Sequence, residues 1–386
     1  MDLCRFLSCL LAVFMCAGCT DNQNVQFGSE LSSEASVQPT DFADGPSDPN
    51  AGLETAALYR NLKRLTGRGV LFGHHETLAY GIGWKQHNWD SDIARVCGDF
   101  PAVFGWDLGE IGRPENIDHV SFDRMKTWFR QVYEKNGINT VCWHMQNPVT
   151  GGNSWDTTPA VARILPGGDR HMAYRQKLDL AADFLNSIRG PHNEPIPVIL
   201  RLFHEHNGAW FWWGQKSCTA DEFIRLWRFT VDYFRTEKQM HHILYAYSPD
   251  ICKGPQDYLE RYPGDAYVDI LGMDNYYHFR SRDTLQQAVN DLQLLARIAA
   301  QKRKPAALTE TGVDKMPDPA WFTDVLLPAL TADEWTRQIV WVCLWRNESP
   351  QHFFAVYPGH PAAENFRAFF RHPFTLFLSE MPEMYR

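Results

Sequence analysis

Beyond about residue 50 the chain alternates short apolar runs, bounded by turn residues, with longer stretches whose apolar positions recur at helical spacing. The apolar runs lie at Gly69–His75, Ala102–Leu108, Ile138–Met145, Ile196–Glu205, Ile243–Pro249, Val268–Tyr277, Pro305–Gly312 and Ile339–Asn347. Helices are expected between them at Ser121–Lys135, with Phe122, Met125 and Phe129 on one face, and at Met172–Ile188, Ala220–Phe234 and Thr284–Ala300. Strand then helix, repeated eight times at roughly 40-residue spacing, predicts an α/β fold, a closed parallel (β/α)8 TIM barrel. A doubly wound open sheet is the competing architecture. It would place a Gly-rich phosphate loop after the first strand, and GHHET is not one.

Polar residues interrupt this pattern at one place in each repeat. Nearly every strand is expected to end, on its C-terminal side, in residues that an ordinary core rejects: His74 and His75, Asp107, His144, Glu205, Asp274 and Tyr276, Glu310, and Trp345 with Arg346. One such end means little, but their recurrence in register predicts a cleft at the C-terminal mouth, where barrel enzymes build their sites. Along PVILRLFHEHNG, Arg201, Phe203 and Glu205 alternate with Leu200, Leu202 and His204, which predicts that Arg201 and Glu205 share one side of the fourth strand. Leu308 and Glu310 are expected to do the same on the seventh. Carboxylates leaving strands four and seven stand across the mouth and can approach to about 5 to 5.5 Å, the separation of a retaining glycosidase. Such an enzyme keeps one carboxyl protonated for the leaving oxygen and the other ionised for attack on the anomeric carbon. Either Glu alone could equally serve a salt bridge or a helix cap.

Composition narrows the partners. Aromatic residues make up 13% of the chain, with 14 Trp, several beside Gly, Asn and Pro, so some are expected to line a surface cleft. A net charge of −9 without a basic run argues against nucleic acid and favours a neutral or small substrate. Residues 1–19 combine Arg5 with an apolar run from Phe6 to Ala17, too short to span a bilayer, and read as an export signal. They end in Cys16-Ala17-Gly18-Cys19, which resembles a bacterial lipobox with Cys19 as the lipidated residue; an ordinary cleaved signal is the alternative. No dense acidic cluster follows Thr20 and Asp21, which favours the periplasmic side of a membrane over the cell surface. Residues 20–50 are polar, with six acidic residues and no Lys or Arg, and read as a flexible acidic tether that holds much of the negative charge. The remaining segment, 51–386, is expected to form one catalytic domain and a monomer. Five cysteines lie beyond Cys19, none in a CxxC pair, so a disulfide or two is possible and no metal framework is visible.

Five motifs then carry a resemblance. HEHNGAWFWWG after strand four, TETG on strand seven, FGHHETLAYG after strand one, MDNYY on strand six and WRN on strand eight together resemble glycoside hydrolase family 26, the β-mannanase family. The likeness covers most of residues 53–372, and the strand-four motif is its most specific element. It implies that Glu205 is the acid/base and Glu310 the nucleophile, and that His204 holds the site in shape. It further implies that Tyr276 hydrogen-bonds the nucleophile with Asp274 two residues before it, and that His144 contacts the sugar at the −1 position. Trp345 would be the platform beneath that sugar and Arg346 the polar neighbour at −2. Arg201, four residues before Glu205, would keep a carboxylate ionised by pairing. Trp210 and Trp155 are candidate platforms on the leaving-group side; Trp212 and Trp213 read equally well as core, and His206 and Asn207 as parts of a loop turn.

Three further readings stay open. The histidines could serve a metal-dependent hydrolase, yet HEH is not HExxH and no clear set of three ligands emerges, so no metal or other cofactor is expected. A non-catalytic glycan-binding lipoprotein would normally have lost one of the two glutamates. Within the family, β-1,3-xylan and mixed-linkage glucan are alternatives to mannan or manno-oligosaccharides. The stretch from Gln146 to Gly168 is hard to align, which leaves endo against exo action open.

Overall fold

The computed structural model describes residues 45–386. The lipobox Cys19, the expected export signal and most of the expected tether lie outside the described residues. Eight parallel strands close into a barrel: β1 Val70–His75, β2 Val103–Asp107, β3 Ile138–Cys142, β4 Val198–Arg201, β5 Ile243–Tyr247, β6 Ile270–Asp274, β7 Ala306–Thr311 and β8 Ile339–Leu344. Each pairs with its sequence neighbours, and closure comes from β1 against β8, in the register Leu71↔Trp341 to His74↔Leu344. A short strand, Thr375–Leu376, adds to the start of β1.

The predicted helices form because their apolar stripes face the strands. In Phe122–Glu134, Phe122, Met125, Trp128, Phe129 and Val132 are buried, and the Ser121 hydroxyl accepts from the Arg124 N–H at the N-terminus. Ala220–Asp232 starts with a full capping box between Thr219 and Glu222, and then widens into a π-turn at Tyr233–Glu237. His171–Asn186 and Leu285–Lys302 complete the expected set.

Two apolar layers result. One lies between strands and helices, while the other fills the lower barrel with Leu71, Val103, Ile138, Ile199, Leu244 and Ile270. The helix Leu53–Leu65 closes the floor: Leu58 and Leu62 are fully buried beside Met384 near the C-terminus. Each such leucine contributes about 1.5–3 kcal/mol over its exposed state. Residues 47–50, the last of the segment expected to be a tether, also pack on the barrel. The Ser47 N–H donates to Asp269, and buried Asp48 pairs with His241 at 2.8 Å. Among the described residues no helix is long and apolar enough to cross a membrane, and all five cysteines are free rather than bridged.

Candidate active site

The structure departs from the strand phasing where the chemistry is richest. β4 ends at Arg201, not at Glu205, and both Phe203 (φ 44°) and Glu205 (φ 51°) take left-handed backbone. Phe203 turns outward onto Trp212, Trp213, Phe223 and Trp227. Arg201 and Glu205 both face the acidic cluster, as expected, but Phe203 does not share their side, as a continuous strand would require. Glu205 reaches the cleft by a turn instead, held by its N–H to the Ser248 carbonyl at 2.8 Å and by Gly208 N–H to its own carbonyl at 2.8 Å. The same turn brings the buried His204 into the cavity wall, which strict alternation forbids.

On β7 the exception is a bulge. Leu308 pairs with Met273 but Glu310 pairs with Asp274, so two residues of β7 face one of β6. Leu308 packs in the outer apolar layer, whereas Thr309 and Glu310 both turn inward; the expected common side for Leu308 and Glu310 is wrong for that reason. His144, Tyr276, Trp345 and Arg346 also sit just past their strands, which end at Cys142, Asp274 and Leu344.

These turns bring the two glutamates together. One carboxylate oxygen each from Glu205, Asp274 and Glu310 lies within 4.8 Å of the others. Arg201 sits among them: its Nη1 donates to Asp274 Oδ2 at 2.6 Å and to Ser248 Oγ at 3.1 Å, and its Nη2 pairs directly with Glu310. The guanidinium, nearly fully buried, thus supplies the countercharge for this acidic cluster. The other Glu310 oxygen accepts from Tyr276 OH at 2.9 Å. Burial first, then Glu310 and Glu205, push the Tyr276 phenol well above its usual range, so it serves as a donor.

Glu205 meets a different environment. Its side chain still borders the cleft, yet burial, then the charge of Glu310 and that of Asp250, push its pKa up to about 8, against the opposing hydrogen bond from Trp210 Nε1 at 2.7 Å. A carboxyl that keeps its proton near neutrality therefore faces a second one tied to Arg201 and Tyr276. That is the division of labour needed for acid/base and nucleophilic work on a glycosidic bond.

The cavity above them, about 470 Å³, is walled by aromatic residues. Trp345 stacks on His75 with ring centroids 4.2 Å apart, and space for the His75 ring exists because position 105 is glycine: a Cβ there would stand 2.5 Å from His75 Cδ2. Trp155 and Trp210 are exposed at the rim, 49% and 38%. Trp212 and Trp213 are core instead, and their indole N–H groups bind the carbonyls of Met145 and His204 at 2.9 and 2.8 Å, bracing the floor under the site. His206 packs on Phe223 and Tyr247, and Asn207 ties its turn to the Asp250 and Ile251 carbonyls.

Of the expected site residues, Arg346 alone stands apart from this arrangement. It pairs with Asp118 at 2.8 Å and Glu348 at 3.3 Å and contacts Tyr80 OH, beside the cavity rather than in its wall. The structure adds Phe211, Arg280, Asp314, His352 and Phe354 to the cavity wall and Ser248 to the Arg201 network. Ser248 lies just past β5 as other polar residues lie at or past the ends of their strands, a signal present in the sequence. The loop residues carry no periodic signal.

Known proteins share this chain's fold and family signature. The family model described as "Glycosyl hydrolase family 26" matches residues 47–325. A family 26 β-mannanase structure from Bacteroides ovatus is 40% identical with a TM-score of 0.83, over 87% of this chain and 98% of that one. A modular endo-β-1,4-mannanase from Cellulomonas fimi is 35% identical with a TM-score of 0.82, over 88% of this chain and 79% of that one. A mannan endo-1,4-β-mannosidase of Bifidobacterium adolescentis is 37% identical over 279 residues, 69% of this chain and 28% of that protein. The match to the mannan endo-1,4-β-mannosidase of Caldalkalibacillus mannanilyticus covers 46% of that protein, so the chain spans less than half of these two relatives.

Proposed function

The chain belongs to glycosyl hydrolase family 26, and from that premise we propose that it is a retaining β-1,4-mannanase acting on mannan or manno-oligosaccharides. The observation that carries this reading is the pair of carboxylates within 4.8 Å in opposite environments, Glu205 with its pKa raised to about 8 and Glu310 paired with Arg201. The mannan activities named for the relatives support the substrate class.

The steps follow from the geometry. With substrate across the cavity, the Glu205 proton passes to the glycosidic oxygen as Glu310 attacks the anomeric carbon, forming a glycosyl ester and releasing the first product. Glu205, now a carboxylate, takes a proton from water, which displaces Glu310 from the opposite face and restores both groups. Trp345 supplies a stacking surface for the sugar in the −1 position, with Trp155 and Trp210 on the leaving-group side. Tyr276 and Arg201 orient Glu310 for attack.

A time course of products from mannohexaose and galactomannan tests the reading. Mannose-containing products retaining the β-anomer are expected at the first time points. Turnover of β-1,3-xylan or mixed-linkage glucan without turnover of mannan would overturn the substrate assignment, and first-formed α-anomers would overturn retention.

Three predictions arise here. Glu205 must hold its proton for the first step, so kcat/KM on mannohexaose falls as pH rises through about 8. The Trp210 N–H favours the ionised form of Glu205. Trp210→Phe removes that donor and moves the basic limb to higher pH; an unmoved or lowered limb would contradict this role for Trp210. Lipidation at Cys19, on the periplasmic side of a membrane, is our reading of the CAGC segment. Cys19→Ser is expected to shift the protein from the membrane fraction to the soluble fraction, and its retention in the membrane would defeat the anchor.

A further inference from the structure

Asp107, at the end of β2, is fully buried and takes no part in the steps above, yet all its contacts are with donors. Its Oδ1 accepts from Gly109 N–H at 2.6 Å and His144 N–H at 3.1 Å; its Oδ2 meets the Cys142 thiol at 3.4 Å and contacts His144 Nδ1 directly. Such a set of donors favours the carboxylate. Burial opposes the charge, but His144, both as a charge and as a donor, holds Asp107 below the usual carboxylate range.

On the far side of the ring, His144 Nε2 stands 3.2 Å from His204 Nε2, a spacing that calls for one proton between two nitrogens. The charged and titratable groups around His144 fix where it resides. Asp107, Glu310 and Asp118 favour a positive His144 and together outweigh its burial. His204 is driven well below its usual range by burial, then by Arg201 and by His144, with His75 and His206 adding in the same direction. Cys142, the remaining neighbour, has its thiol pushed well up by burial and stays neutral. The ring also borders the cavity, stacked against Trp155 at 5.2 Å and set edge-on to Trp345 at 6.0 Å, so its charge faces the space open to a sugar.

We propose that Asp107 is a positioning residue that acts through His144: it fixes the ring by the Nδ1–H bond and keeps the shared Nε2 proton on His144 rather than on His204, so that the ring stands at the cleft wall as a cation. The part that this charge plays in turnover rests on the mannanase reading. Asp107, Cys142 and His144 also present three ligand atoms within 4.8 Å of one another. A tetrahedral metal would hold its ligand atoms about 3.3 Å apart, whereas Asp107 Oδ2 and His144 Nδ1 are in direct hydrogen-bond contact.

Asp107→Asn is the informative variant because the amide oxygen can still accept from Gly109 and His144 N–H, while the charge facing Nδ1 is lost. The full chain is labelled with ¹⁵N-histidine, and the His144 resonances are assigned with His144→Gln. Wild-type His144 is expected to remain protonated above pH 7, and in Asp107→Asn to be neutral there. With an activated aryl β-mannoside, whose departure needs no proton from Glu205, Asp107→Asn lowers kcat/KM about 10- to 100-fold. In a His144→Gln background it adds less than about twofold, because the partner through which it acts is gone. A wild-type His144 that is neutral at pH 7 overturns the proposal even if Asp107→Asn fails to fold, and so do losses from the two substitutions that multiply. A wild-type protein that turns over no β-mannoside defeats the mannanase reading instead, and the resonance measurement still decides what Asp107 does to His144.

Discussion

Glu310→Ala is expected to lower turnover of mannohexaose by on the order of 10⁵-fold, to the background set by binding and the remaining electrostatics. No ester can form without that carboxylate, and water that enters on the same face has no base there to activate it. The variant should fold, because Arg201 keeps Asp274 and Ser248 as partners and is not left as an uncompensated buried charge. The bulge that carries position 310 is set by main-chain pairing with β6, which alanine preserves. Added azide can enter the space vacated by the side chain and attack from that face, so an α-mannosyl azide is the expected product when the leaving group is activated. Turnover within tenfold of wild type, measured by reducing-end release on a sample whose thermal midpoint matches wild type, would remove Glu310 from the nucleophile role.

The barrel was legible because its signal is repeated. Eight apolar runs and the intervening helical stripes each repeat one physical statement, burial of one face, and small errors at the ends do not alter it. All eight runs contain strands, and only their limits differ, as with Ile196–Glu205 against Val198–Arg201. The identity of the two glutamates was legible for another reason: they are charged residues at positions that the pattern reserves for core. Both reach the cleft as expected, but the phasing of their neighbours Phe203 and Leu308 was not legible, because a period of two holds only while the backbone stays extended. Left-handed residues at 203 and 205 and an extra residue in β7 each reverse the parity, and neither Phe nor Glu advertises positive φ as Gly or Asn would. Phe203 illustrates the cause: its ring is committed to the Trp212, Trp213 and Trp227 cluster, and tertiary packing sets the backbone there. Asp107 was visible as a polar strand end, but its link to His144 is a contact between β2 and β3 that no local pattern states.

Replacing Glu205 separates the two chemical steps and is expected to do so by large, unequal amounts. On mannohexaose, Glu205→Ala lowers kcat/KM about 10²- to 10⁴-fold, since a sugar alkoxide leaves poorly without a proton. On an aryl β-mannoside with a strongly activated phenol the first step needs no such proton, so kcat/KM changes little. The second step still lacks its base, and the glycosyl ester on Glu310 accumulates. A burst of phenol followed by slow turnover is therefore expected, with kcat and KM falling together. Azide, which needs no base, should relieve the slow step and give a β-configured product, the opposite anomer to that expected for Glu310→Ala. The basic limb near pH 8 is expected to vanish on mannohexaose, because its source is the Glu205 carboxyl that burial and Glu310 hold protonated. Equal losses on both substrates, or a surviving limb, would place the acid elsewhere. The inequality follows from the environments of two like side chains: one is tied to a guanidinium and a phenol, the other is desolvated and held by a single indole N–H.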